Sequence, residues 1–210
     1  MKLQKIGGIA SLGLSFFVVI IFVTYIFMLP RLGLITPEDW HDPVKAFNAW
    51  SASPATFYIT FLAFLLTALA FIPVMMAIRE RMQTDAPNLM RISVIGVSIG
   101  CALWLLWALI GIIGLPLVIS VSDASAYRAV EALYHCAGSA GEHALGWALL
   151  LIGWAALKTR AWPRMLSYLC AFKGVVMIFK IAVTIFGAVG LILGVVFYPW
   201  LGIVLLRSKS

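Results

Sequence analysis

Residues 127–186 read YRAVEALYHCAGSAGEHALGWALLLIGWAALKTRAWPRMLSYLCAFKGVVMIFKIAVTIF, two apolar helices on either side of the basic turn KTRAWPR. Both segments are long and apolar enough to cross a bilayer, yet each carries titratable side chains along its length. These are Glu131, His135, Glu142 and His143 in the first helix and Lys173 and Lys180 in the second. Because charged groups within a span face a protein interior or a water-filled cavity, the hairpin predicts a polytopic membrane protein with a polar centre.

The titratable residues of the first helix lie close together around its axis. At 100° per residue, Glu131, His135 and Glu142 fall within about 40° of one another, and His143 lies on the flank of that face. We expect Glu131 to be solvated at the outer end of the helix. The spacing predicts a track of charge that runs from the outer surface toward the middle of the membrane.

The two lysines share a face of the second helix, since residues seven apart differ by about 20°. The turn centres near residue 161, and antiparallel neighbours pair residues that are equidistant from it. Glu142 lies 19 residues before this centre and Lys180 lies 19 residues after it. We therefore predict that Glu142 and Lys180 lie at the same depth and form an ion pair.

The free energy of insertion explains why the second helix needs a partner. An insertion scale assigns about +2.5 to +3.5 kcal/mol to a central lysine and about −0.3 to −0.6 kcal/mol to each Leu, Ile, Val or Phe. Residues 165–185 contain ten of these apolar residues and two lysines. About −3 to −6 kcal/mol thus opposes about +5 to +7 kcal/mol, and the lysines require a carboxylate or a wet cavity.

Composition excludes a soluble domain, because 63% of the 210 residues are hydrophobic and only 11% are charged. The net charge of +7 does not indicate nucleic-acid binding, since most basic residues lie in short loops between apolar segments.

We predict an all-α fold, a six-transmembrane-helix bundle that forms a single membrane domain over residues 1–210. The predicted spans cover about residues 6–29, 55–77, 92–118, 128–157, 164–185 and 188–206. The outer loop 30–54 is predicted to carry a short interfacial helix around PVKAFNAW.

The unequal distribution of basic residues between the two sets of loops predicts the orientation of the chain in the membrane. Loops on the side of the N-terminus hold ten Lys and Arg residues, and the opposite side holds three. By the positive-inside rule, both termini are expected in the cytoplasm, with the protein in the cytoplasmic membrane.

The sequence predicts no cofactor and no enzyme activity. Two histidines that ligate a haem normally come from separate helices, whereas His135 and His143 share one helix. Glu131 and His135 lack the Glu-x-x-His spacing of a carboxylate-bridged di-metal site. Glu38, Asp39, His41 and Asp42 of the outer loop could bind a metal ion, but helix capping explains the acids equally well. Zinc-protease motifs, phosphate loops and nucleophile elbows are absent.

Two functional classes remain open. In the first, Glu142, His143, Lys173 and Lys180, extended outward by His135 and Glu131, bind a polar, anionic molecule or exchange protons in a small carrier or receptor. In the second, the charges only neutralise one another, and the chain is a noncatalytic subunit that docks to another membrane protein or a second copy of itself. Besides these, the lipid bilayer is the only partner that the sequence predicts.

The stretches LLIGWAALKTRAWPRMLSYLCAFKGV and FYPWLGIVLLR resemble a family of bacterial six-span membrane proteins of unknown function. In that family an apolar helix ends in a short basic turn, followed by Pro and a Leu- and Gly-rich helix. Ser167 and Tyr168 stand where the pattern has Gly. The resemblance implies six spans in a bacterial membrane and implies no known activity.

Overall fold

The computed structural model describes residues 3–34, 39, 41–121, 123–180 and 185–207, and over these residues the chain is all-α, with no strand. The predicted helix start at residues 36–38 and the end of the fifth predicted span, residues 181–184, lie outside this described part. The helices are α1 (Leu3–Val23), α2 (Pro43–Ala52), α3 (Pro54–Met82), α4 (Pro87–Leu109), α5 (Ala124–Thr159), α6 (Arg164–Phe179) and α7 (Ile185–Leu206). A π-helical turn at Thr24–Met28 and a short 3₁₀ turn at Pro30–Leu32 extend α1, and a π-helical turn at Ile110–Gly114 followed by Leu115–Ser120 extends α4.

Five helical segments are long and apolar enough to cross a membrane: Leu3–Leu32, Pro54–Met82, Pro87–Ser120, Ala124–Thr159 and Gly187–Leu206. The length and composition of these segments therefore fit the membrane protein predicted from the sequence. Helix α6 is the exception, since its 16 residues span only about 24 Å.

Helix starts follow local sequence signals. The Asp42 carboxylate accepts from the Val44 backbone N–H at 2.9 Å and caps α2. Asp123 caps α5 in the same way through Ser125 N–H at 2.8 Å. Proline stands in the first turn of α2, α3 and α4, where its missing N–H costs nothing. The helix predicted around PVKAFNAW is thus present as α2.

Glycines set the register between α5 and α6. A Cβ added to Gly174 of α6 would lie 2.5 Å from the Leu150 backbone nitrogen, and one added to Gly153 of α5 would lie 2.6 Å from the Ala171 nitrogen. Only glycine allows the two backbones to approach this closely. The contact pairs residues equidistant from the basic turn, as the sequence predicted.

Six helices form a closed ring in the order α1, α3, α4, α5, α6, α7 and back to α1. Neighbours are antiparallel throughout. The ring closes where α1 meets α7: Gly8 packs against Leu206, Ser11 Oγ donates to the Tyr198 carbonyl at 2.7 Å, and Gly194 packs against Val18. The start of α1 and the end of α7 consequently lie at the same end of the bundle.

Aromatic side chains fill the middle of the ring. Trp104 and Trp107 of α4 are buried, which confirms the prediction that they fill the bundle. Phe71 of α3 meets the Tyr198 ring edge-on at 5.6 Å. The outer surface of the ring is apolar as well, with side chains such as Phe16, Ile113 and Trp154 exposed on different helices. An apolar exterior around a partly polar centre is the arrangement expected of a membrane bundle.

Candidate functional site

A cavity of about 50 Å³ lies at the centre of the ring, and all six ring helices contribute to its wall. This volume holds roughly three or four water molecules. Most of the wall is apolar, and its charged lining residues are Glu142, Lys173 and Lys180. The predicted polar centre of the bundle is therefore present.

Glu142 and Lys180 form the predicted ion pair. Lys180 Nζ donates to Glu142 Oε1 at 2.5 Å, which confirms the pairing derived from equal depth. The Glu142 side chain is 13% exposed and that of Lys180 is 38% exposed, so the pair is reached from the surface at the lysine end.

Lys173 is the most enclosed cation of the cavity, at 5% exposure. Its ammonium donates to the Gly190 carbonyl of α7 at 2.8 Å and lies 5.2 Å from the centre of the Tyr198 ring. The carbonyl dipole and the ring face both favour a cation. An ammonium has three donors, and Gly190 takes the single hydrogen bond that Lys173 makes among the described residues.

The cavity carries an excess of positive charge. Two ammonium groups face one carboxylate, and no other charged side chain lines the wall among the described residues. A buried charge without a counterion is costly, so the second lysine is neutral, hydrated or bound to an anion.

His143 lies apart from this cluster. Its Nε2 accepts from Trp147 Nε1 at 3.1 Å, its Nδ1 is buried with no partner among the described residues, and it does not line the cavity. Because His143 lies on the flank of the face that carries Glu142, its imidazole ring points toward the indole of Trp147, which is half exposed.

Glu131 and His135 form a second cluster nearer the outer loop. The expectation that Glu131 is solvated is wrong: the residue is 7% exposed, and its Oε1 contacts His135 Nε2 at 2.9 Å and His41 Nδ1 at 2.6 Å. Helix α2 and the residues before it cover this part of α5. One face of α5 therefore carries two separate clusters rather than one continuous track, because Glu131 and Glu142 are 11 residues, or about 16 Å, apart.

Tyr134 of α5 separates the two clusters. It is buried and hydrogen bonded to Tyr25 of the π-helical turn that follows α1. Sequence spacing placed all the charges on one face but gave no reason to expect an aromatic pair between them.

Two residues at the clusters were not predicted as site residues. His41 was considered only together with the acids of the outer loop, and no periodicity relates that loop to α5. Tyr198 lies in the apolar stretch FYPW, where a polar side chain inside a span is the one signal that could have identified it.

The chain matches no family model, no curated protein and no solved structure.

Proposed function

We propose that the protein binds a small inorganic anion in its central cavity and acts as an intramembrane carrier or receptor for it. The observation that carries this proposal is the charge of the cavity, where Lys173 and Lys180 face the single carboxylate of Glu142. Lys173 is the principal anion-binding group, because its ammonium is buried and has donors to spare. Lys180 is shared between the anion and Glu142.

The size of the cavity supports a small inorganic ligand. About 50 Å³ accommodates an anion of the size of chloride or nitrate together with a water molecule. This narrows the polar or anionic molecule expected from the sequence.

Glu142 competes with the anion in this proposal. Its carboxylate binds Lys180, so the anion and Glu142 share this ammonium.

We also propose six membrane spans with both termini in the cytoplasm. Support comes from the antiparallel order around the ring, in which α6 lies between α5 and α7 and reverses direction with respect to both. The basic residues at the end that holds the chain termini favour the same orientation. The resemblance to bacterial six-span proteins agrees with this count.

A second candidate function is that of a noncatalytic subunit of a membrane complex. Ala132, Cys136 and Ala140 are exposed at intervals of four residues on α5, and small residues let another helix approach closely. Purification in mild detergent distinguishes the two functions, since a stoichiometric protein partner would favour the subunit.

The anion site is tested by the thermal stability of the purified protein in chloride, nitrate or gluconate at constant ionic strength. Binding to the folded state alone raises the melting temperature. We expect chloride or nitrate to stabilise wild type relative to gluconate, and Lys173→Met to abolish the difference. Lys158→Met is the matched control, because Lys158 is exposed at the far end of α5. Equal responses of wild type and Lys173→Met would overturn the proposal.

A further inference from the structure

The cluster of His41, Glu131 and His135 plays no part in the anion site and has a chemistry of its own. His41 Nδ1 and His135 Nε2 both lie against Glu131 Oε1, at 2.6 and 2.9 Å. One potential ligand atom from each of the three side chains lies within 4.8 Å of those of the other two. Two imidazole nitrogens and a carboxylate oxygen are a donor set that zinc and related divalent metals bind.

The spacing of these atoms suits a metal ion after a small adjustment. Metal–ligand bonds of about 2.0–2.2 Å in tetrahedral geometry place ligand atoms about 3.4 Å apart. The two histidine nitrogens would therefore move away from the carboxylate oxygen by less than about 1 Å. Side-chain rotation supplies such a shift without movement of the helix.

The backbone holds all three ligands in place. Glu131 and His135 are one turn apart on α5, so their relative position is fixed by the helix. His41 directly precedes Asp42, the N-cap of α2, and α2 docks on α5 through an edge-to-face contact of Phe47 with Tyr127 at 5.4 Å.

Exposure of the cluster leaves a coordination position open. The His41 side chain is 59% exposed and that of His135 is 46% exposed, whereas the Glu131 side chain is 9% exposed. Glu131 would bind the metal ion from the buried side. Solvent would reach the ion from the end of the bundle opposite the start of α1 and the end of α7. Its fourth position would be open to water, as in sites with three protein ligands.

We propose that His41, Glu131 and His135 form a binding site for a divalent transition metal ion of the zinc class. The site ties the outer loop to α5. It is independent of the anion cavity, so either site can be refuted without the other.

The experiment measures Zn²⁺ binding to the full chain, purified in detergent without a histidine tag and treated with EDTA. We expect one Zn²⁺ per chain by elemental analysis after desalting, and a rise in melting temperature on addition of Zn²⁺. Co²⁺ in its place should give the visible absorption of a four-coordinate site. His41→Gln should weaken Zn²⁺ affinity at least about tenfold, since even outer-shell changes cost this much. Glu131→Gln should do the same.

Matched controls separate this site from adventitious binding. The chain has three histidines, and His143→Gln removes the one that lies outside the cluster. Cys136→Ser removes the exposed thiol next to His135. Both variants, and Lys173→Met, should bind Zn²⁺ as wild type does. The proposal is overturned if wild type retains no Zn²⁺, or if His41→Gln binds it with unchanged affinity; the exposed position of His41 makes this variant the one that should fold normally.

Discussion

The carboxylate of Glu142 on α5 and the ammonium of Lys180, the residue that follows α6, meet at 2.5 Å. The pair neutralises one lysine of α6 and leaves the second, Lys173, to the Gly190 carbonyl and the Tyr198 ring. This division of roles leads to the following predictions.

Glu142→Gln should destabilise the protein by about 1.5–3 kcal/mol, the usual worth of a hydrogen bond to a charged group. The exchanged pair Glu142→Lys with Lys180→Glu should recover part of this loss, since it restores opposite charges at the same depth. Thermal unfolding in detergent measures both effects. A double variant no more stable than Glu142→Lys alone would contradict direct pairing.

Gly174→Ala should destabilise the bundle by about 1–3 kcal/mol, the range for overpacking, because the added methyl group meets the backbone of α5. Gly190→Ala is the control. Its added Cβ has its nearest neighbour at 3.7 Å, on Val176, and it keeps the carbonyl that accepts from Lys173. Melting temperatures of the two variants compare the positions directly, and equal losses would argue against the close approach of α5 and α6.

Stabilisation by chloride or nitrate should be larger in Glu142→Gln than in wild type, because the variant lacks the carboxylate that competes with the anion for Lys180. Melting temperatures of both proteins in chloride and in gluconate, recorded at one pH, measure the difference. An equal or smaller response in Glu142→Gln would argue against this competition.

Single cysteines introduced at Lys45 and Arg128 should be labelled from the outside by a membrane-impermeant reagent, in a background with the three native cysteines replaced. Cysteines at Asp85 and Arg160 should be labelled only after the membrane is opened. Labelling of positions 45 and 85 from the same side would contradict the six-span topology.

The sequence predicted the contact between α5 and α6, two helices that a short turn connects. The basic turn between α5 and α6 spans a few residues, so counting outward from it was enough to pair Glu142 with Lys180. Lys173 shares a helix face with Lys180, and both lysines line the cavity.

Contacts between segments that no short turn connects could not be predicted, because sequence spacing does not fix which of their residues lie at the same level. His41 reaches Glu131 from a long outer loop, and Tyr198 reaches Lys173 from a helix whose rotation depends on closure of the ring by α1. His143 was assigned to the site because it is the neighbour of Glu142, but adjacent residues on a helix point about 100° apart, and its ring meets Trp147 instead.

Closure of the ring by α7 also has a consequence for biogenesis. The last helix supplies both the carbonyl that accepts from Lys173 and the carbonyl that accepts from Ser11, so neither group can find its acceptor until the ribosome has finished α7. A chain that stops before α7 would leave the Lys173 ammonium and the Ser11 hydroxyl without these acceptors. We therefore expect the ring of helices to close only once α7 has been made.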